Sequence, residues 1–238
     1  MKNKVQPDIV TTELKKGFEW TTNHSKLVMV VVGALLLVGV ASATYSFVDE
    51  KKETALQENY FHLENDYSKK KEQFDLYANT LNAPVDPKTK KAPAPQGTKA
   101  SGDLNQDFGP EITKLQDIVN EAPKSKAGVL AAMLLVEIYR DYNKSAEAQE
   151  VLKKVQGARG AIGIFARAEL GSQMANNKDC EGALRVWSDL AKDKSAAFMM
   201  PQLKIKMGLC AESLGQTAQA EDYYKQVMAD SKETSSAK

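Results

Sequence analysis

The sequence predicts an all-α protein: a single N-terminal transmembrane helix, a long exit helix, then a short helical solenoid. Three observations lead there. Residues 27–48, LVMVVVGALLLVGVASATYSFV, carry no charge. After residue 50 no alternating run of β-branched and aromatic residues is bounded by turn residues, so strands are not expected. Ala, Leu, Lys, Glu and Gln dominate the remainder, and these favour helix.

The apolar stretch comes first. Twenty-two residues at helical rise span about 33 Å, enough for a hydrocarbon core of about 30 Å. Lys26 closes it on one side; Asp49, Glu50, Lys51 and Lys52 close it on the other. A helix at the surface of a globular core would show a polar stripe, and this one has none. A cleaved secretory signal competes, because Ala41-Ser42-Ala43 has the small-x-small form of a cleavage site. Against it stand 26 preceding residues and an apolar run that continues through Tyr45, Phe47 and Val48. Lys2, Lys4, Lys15, Lys16 and Lys26 precede the span and only Lys51 and Lys52 follow closely, which places the N-terminus in the cytoplasm. Residues 1–26 are then a cytoplasmic tail, with a brief helix expected over 12–20 and Trp20 at headgroup level.

Residues 49–82 read as an amphipathic helix leaving the membrane. Leu56, Tyr60, Leu63, Tyr67, Phe74, Tyr77 and Leu81 follow alternating steps of four and three, with Lys70 in the one missing place. Such a seam forms a coiled coil, with a second copy or a partner helix, or packs back onto its own domain. Both readings stand on sequence alone. Residues 83–110 hold five of the eight prolines and few apolar residues. That composition predicts a disordered, extended tether.

Residues 111–231 resume the helical pattern, and 232–238 read as a disordered tail. Ile112, Leu115, Ile118 and Val119 mark one face of a short helix that stops at Pro123. Six more helices are predicted near 126–142, 146–155, 162–176, 180–192, 199–214 and 217–229. An internal register runs through them. Ala148, Ala183 and Ala220 are separated by 35 and 37 residues. Twelve residues before them stand Val136, Gly171 and Gly208; four after them stand Leu152, Trp187 and Tyr224.

This register resembles the tetratricopeptide repeat, an antiparallel helix pair whose small residues let the helices approach closely. Leu170-Gly171-x-x-Met174 resembles its Leu-Gly-x-x-Tyr segment, and Ala183 with Trp187 resembles its second-helix signature. The first repeat lacks the glycine, and the proline expected after each second helix is absent. The resemblance implies three stacked pairs over about 126–231, with the helix from residue 111 as a cap. It implies a concave groove lined by Met133, Glu137 and Arg140, then Phe165, Ala168 and Ser172, then Ile205, Leu209 and Glu212. Met133 and Glu137 stand where some members clamp a terminal carboxylate, so no such clamp is expected.

The whole arrangement looks like the bacterial ancillary subunit of the SecYEG translocon, whose repeat domain is shared with a periplasmic cell-division coordinator. A basic tail with Lys15-Lys16-Gly17-Phe18, one anchor, an exit helix and degenerate repeats carry that likeness; the long Pro-rich linker departs from it. The resemblance implies an inner-membrane, single-pass protein with a periplasmic domain. Its implied partners are translocon subunits and a membrane-anchored periplasmic chaperone, besides the lipid bilayer through 27–48. The alternatives are an envelope or cell-division coordinator, or a homo-oligomeric anchor through the exit helix.

Lys plus Arg number 32 and Asp plus Glu 31, so no basic field for nucleic acid exists. The two histidines, His24 and His62, lie outside the repeats, and GxSxG, HExxH and GxxxxGK[ST] are absent. No catalytic, cofactor-binding or metal site is expected; the reading is a binding scaffold and not an enzyme. In the resembled architecture Cys180 and Cys210, the only cysteines, fall on antiparallel neighbouring helices. A disulfide between them is one expectation in an oxidising compartment, and two buried thiols are the other.

Overall fold

The computed structural model describes residues 24–83 and 94–236, and these are helical apart from turns and one extended segment. The tail helix expected over 12–20, Trp20 and much of the Pro-rich tether lie outside the described residues. Eight α-helices follow in order: α1 Ser25–Leu81, α2 Leu104–Glu121, α3 Lys126–Asp141, α4 Ser145–Val155, α5 Gly160–Asn176, α6 Cys180–Leu190, α7 Met200–Ser213 and α8 Thr217–Ser236. A 3-10 turn, Lys194–Met199, leads into α7. The chain divides into two compact units, Met1–Lys52 and Glu53–Lys238, and α1 contributes to both.

In the first unit α1 is long and apolar enough to cross a membrane, by length and composition. Its apolar side chains, among them Met29, Leu35, Leu36, Leu37, Val40, Phe47 and Val48, are exposed. The Thr44 hydroxyl donates to the Val40 carbonyl at 2.6 Å, so this polar group is satisfied within its own helix. The Lys51 ammonium sits 4.6 Å from the Phe47 ring centroid.

In the second unit the pairs α3/α4, α5/α6 and α7/α8 repeat at the spacing of the sequence register. The turns show it best. Asn143, Lys178 and Gly215 all adopt left-handed backbone, at φ of 57°, 65° and 73°. Each stands one residue ahead of a closing bond: Lys144 N–H to Tyr139 O, Asp179 N–H to Met174 O and Gln216 N–H to Ala211 O, at 2.7–2.9 Å. This is one Schellman closure used three times, with separations of 35 and 37. The pairs also close on the register's own residues. A Cβ on Gly171 would meet the Trp187 indole, and one on Gly208 would meet the Tyr224 ring. Trp187 is buried and donates from Nε1 to the Ala168 carbonyl at 3.1 Å. In the second and third pairs the small residue and the aromatic therefore pack as one unit, and the fold is a tetratricopeptide-like solenoid.

The exit helix belongs to that solenoid. Leu56, Tyr60, Leu63 and Tyr67 are buried in the core shared with α2, α3 and α4. The heptad seam is thus used inside the chain rather than presented to a second copy. Leu56, just past the middle of α1, lines one groove with Glu121 at the end of α2, while Lys70, further along α1, meets Glu111 in the middle of α2. So α1 and α2 run antiparallel. Glu53, Tyr67 and Lys71 meet Ala127, Glu137 and Asp141 in the same order, so α1 and α3 run parallel. Residues 53–81 with α2 therefore form a further pair ahead of the three in the sequence register. The helix from residue 111 is not a lone cap.

Lys70 explains the gap in the seam. Its ammonium reaches the buried Glu111 carboxylate at 2.6 Å and the Asp107 carbonyl at 2.9 Å. A buried acid needs a paired cation, and a lysine in the seam supplies one.

Two boundaries differ from the sequence expectation. Helix α2 begins at Leu104 instead of 111, inside the stretch expected to be a disordered tether. Asp103 caps it, accepting from the N–H groups of Asn105 and Gln106. Phe108 packs among Tyr67, Phe74 and Tyr142, which fixes the first turns. Pro110 sits inside the helix and removes one donor only. Ahead of it, Thr98 N–H bonds the Gln73 carbonyl at 3.1 Å and Gln96 N–H bonds the Thr80 hydroxyl at 3.1 Å, so 94–103 lies along α1. At the other end α8 continues to Ser236, past residue 229 and into the stretch read as a disordered tail. The seven residues after 229 include neither Gly nor Pro to stop it.

Asp107 ties the segment 94–103 to the repeats. Its carboxylate accepts from Ser101 N–H at 2.9 Å, Gly102 N–H at 3.0 Å and the Tyr142 hydroxyl at 2.8 Å. Burial alone would raise its pKa, but these three donors hold it below the usual carboxylate range. A depressed folded pKa contributes stability above the unfolded value, about 3.9 for Asp, and loses it as pH falls through the folded value. Thermal melts should therefore drop as pH falls from about 4 downward, and Asp107→Asn should be less stable at pH 7 and flatter across that acidic window. An equal slope in the variant would remove Asp107 from this account.

Candidate binding groove

The first helices α1, α3, α5 and α7 line one surface of the solenoid. Leu134, Glu169 and Lys206 share one register position, and Glu137, Ser172 and Leu209 share another, at the separations of 35 and 37. Over α3, α5 and α7 this surface forms a groove of about 530 Å³. Its walls include Arg140, Glu169, Ser172, Gln173, Lys206 and Leu209, and the Cys180–Cys210 pair sits in it. That pair is disulfide-bonded, with Cα atoms 5.1 Å apart, and joins α6 to α7. A second groove, of about 320 Å³, continues between α1 and α3 and is lined by Glu64, Tyr67, Ser68, Lys71, Glu72, Asp75, Leu134 and Glu137.

The nine groove candidates separate on these coordinates. Arg140, Ser172 and Leu209 line the larger groove. Phe165, Ile205 and Leu209 are 48%, 44% and 56% exposed, unusual for large apolar side chains in a packed solenoid. Glu212 is exposed as well. Ala168 is instead buried, so it is a core residue and not a wall of the groove. Its carbonyl carries the Trp187 indole bond, which turns that position inward. Met133 is half-buried and packs against the core. Glu137 is half-buried and accepts from the Tyr67 hydroxyl of α1 at 2.9 Å. Burial and that bond to Glu137 push the Tyr67 hydroxyl pKa up, so it stays a donor. In the first repeat, then, the exit helix covers part of the face that the sequence reading left open.

Sequence reasoning missed Phe198. It is 59% exposed on the 3-10 turn, and its ring centroid lies 5.7 Å from that of Phe165 with the ring planes tilted by 58°. The available signal was an aromatic just before a predicted helix start, and it carried no period.

The charges in the groove are unequally paired. Glu137 is bonded to Tyr67, and Glu169 accepts from Gln173 at 2.8 Å. Lys206 donates to the neutral Ser172 hydroxyl at 2.7 Å. Arg140 has no side-chain partner among the described residues. Among those residues no group of three His, Cys, Asp or Glu side chains is placed to hold a metal, and neither cysteine is free. The arrangement offers apolar surface and hydrogen-bonding groups, the requirements for holding a polypeptide.

No protein-family model matches this chain, and no curated protein matches it. Solved structures similar to it include MamA, at 20% identity and TM-score 0.41 over 56% of this chain and 75% of that one. Another is a Podosopora anserina putative kinesin light chain with nearly identical TPR-like repeats, at 12% identity and TM-score 0.45 over 78% and 95%.

Proposed function

We propose that this chain is a membrane-anchored scaffold that binds other proteins along the surface of α1, α3, α5 and α7. The observation that carries the reading is the groove in which Leu209 is exposed beside Arg140, Ser172 and Lys206, with Phe165 and Ile205 exposed on the same helices α5 and α7. Apolar side chains left in water on these helices are stabilised when a partner covers them. The anchor reading rests on the uncharged span over 27–48, and the lysine balance puts the repeat unit on the extracytoplasmic side. The sequence likeness to the ancillary translocon subunit supplies the partner reading: translocon subunits and a membrane-anchored periplasmic chaperone. On that reading the protein assists translocation or chaperone hand-over at the inner membrane.

Crosslinking of the full-length chain in native membranes, followed by mass spectrometry, tests this. Translocon or chaperone peptides are the expected result. Envelope-assembly or division partners alone would replace the partner reading with the coordinator alternative. Recovery of the chain in the soluble fraction after carbonate extraction would remove the anchor.

A further inference from the structure

The turns at one edge of the repeat unit are basic. Residues 121–127, 154–160 and 190–196 form the α2–α3 turn, the α4–α5 turn and the approach to α7, and they carry six cations against two acids, Glu121 and Asp193. The cations are Lys124, Lys126, Lys154, Arg159, Lys192 and Lys194, all exposed. Asp193 is paired with Arg167 of α5 at 3.1 Å. Lys154 donates to the neutral Asn120 amide at 2.8 Å, and Lys192 pairs with Asp189 at 2.7 Å. Lys124, Lys126, Arg159 and Lys194 have no hydrogen-bond or ion-pair partner among the described residues. The turns are neighbours: a Cβ on Gly157 would lie 3.3 Å from Lys124 Cε, and the exposed Phe198 meets Phe165 near the start of α5. The opposite edge has the opposite sign. Among the described residues there, 101–107, 140–146, 176–182 and 212–218 carry six acids against three cations.

The chain enters this unit at the basic edge. The Glu53 carboxylate accepts from Ala127 N–H at 2.9 Å, at the start of α3, and from the Gln57 amide at 2.7 Å. The uncharged span ends at Val48, five residues earlier in sequence, a connection that covers at most about 18 Å. The 16 residues of α3 extend about 24 Å, which sets the acidic turns that much further from the tether. We propose that the basic edge docks on the anionic headgroups of the bilayer that holds the anchor, with Phe198 entering the headgroup boundary. The proposal rests on the anchor reading above and adds a second, lipid-selective contact. Charge complementarity selects the edge, since the opposite one would set acids against lipid phosphates. Each cation near an anionic surface adds attraction, and an aromatic exposed beside cations suits an interfacial site. The tether holds the bilayer within reach, whereas an acidic protein partner would have to be recruited.

Hydrogen exchange on the full-length chain, at one chain per nanodisc, is the test. Discs of phosphatidylcholine alone are compared with discs that also hold phosphatidylglycerol. Backbone exchange over 121–127, 154–160 and 190–199 should slow roughly tenfold in the anionic discs, while 140–146 and 176–182 stay unchanged. The slowing should vanish in Lys124→Glu/Arg159→Glu/Lys194→Glu and, in the parent, at about 1 M NaCl, where the Debye length is about 3 Å. Parent and variant should both co-elute with the discs, since the span is untouched. Equal exchange in the two lipids, or slowing that survives both the variant and the salt, would overturn the docking and leave the anchor standing. Slowing in native membranes but not in anionic discs would overturn the lipid contact and assign the edge to an acidic protein. Failure of the chain to co-elute with discs would overturn anchor and docking together.

Discussion

Gly171→Leu should melt far below the parent protein. The glycine sits under the indole of Trp187, where an added Cβ would lie 2.6 Å from Cε2. Trp187 cannot retreat, because it is buried and its Nε1–H is committed to the Ala168 carbonyl. A leucine there must separate α5 from α6, which costs about 3 kcal/mol as overpacking, and losing the indole bond adds about 1 kcal/mol. At about 2–4 °C per kcal/mol for a unit of this size, the melting temperature should fall by roughly 8–16 °C. Gly208→Leu should act in the same direction but less strongly, since Tyr224 is only half-buried and has room to turn outward. A parental melting temperature for Gly171→Leu would mean that the repeat register is wrong.

Removing the bridge should be nearly as costly. Cys180 and Cys210 are 30 residues apart in sequence and link the second pair of the register to the third. On the chain-entropy account a closed loop of that size contributes about 3–4 kcal/mol. Cys180→Ala/Cys210→Ala should lose that amount in denaturant unfolding, and the oxidised parent should gain no label when denatured with an alkylating reagent and no reductant. Two labelled thiols per chain would show that the bridge is absent in the native compartment. That result would also weaken the extracytoplasmic placement of the repeats.

The repeat core was legible because its signal is local and repeated. Ala148, Ala183 and Ala220 set the spacing and Trp187 and Tyr224 the bulky positions, and the likeness of that register to the tetratricopeptide repeat supplies the pairs. The exit helix was legible as a helix but not as a member of the stack. A seam of Leu56, Tyr60, Leu63 and Tyr67 states that an apolar face needs a partner and is silent on which one. Only Lys70 hinted at the answer, since a cation in a seam needs a buried acid and Glu111 lies far off in sequence. The start of α2 was hidden by prolines. They weighted the stretch toward a tether, whereas Asp103 and Phe108 fix the helix through capping and a contact with α1 that no local pattern shows. Ala168 was misplaced for a related reason. At the groove edge one step of helix rotation separates wall from core, and the Trp187 bond that decides it is made to a backbone atom.

The most direct test of the scaffold account is a photo-crosslinking amino acid placed at Leu209, within the groove, and separately at Glu150 on α4, whose side chain is two-thirds exposed. Both full-length variants are illuminated in native membranes. The account predicts discrete protein adducts from Leu209 and none of the same adducts from Glu150. Identical adducts from both positions, or none from Leu209 alone, would contradict it.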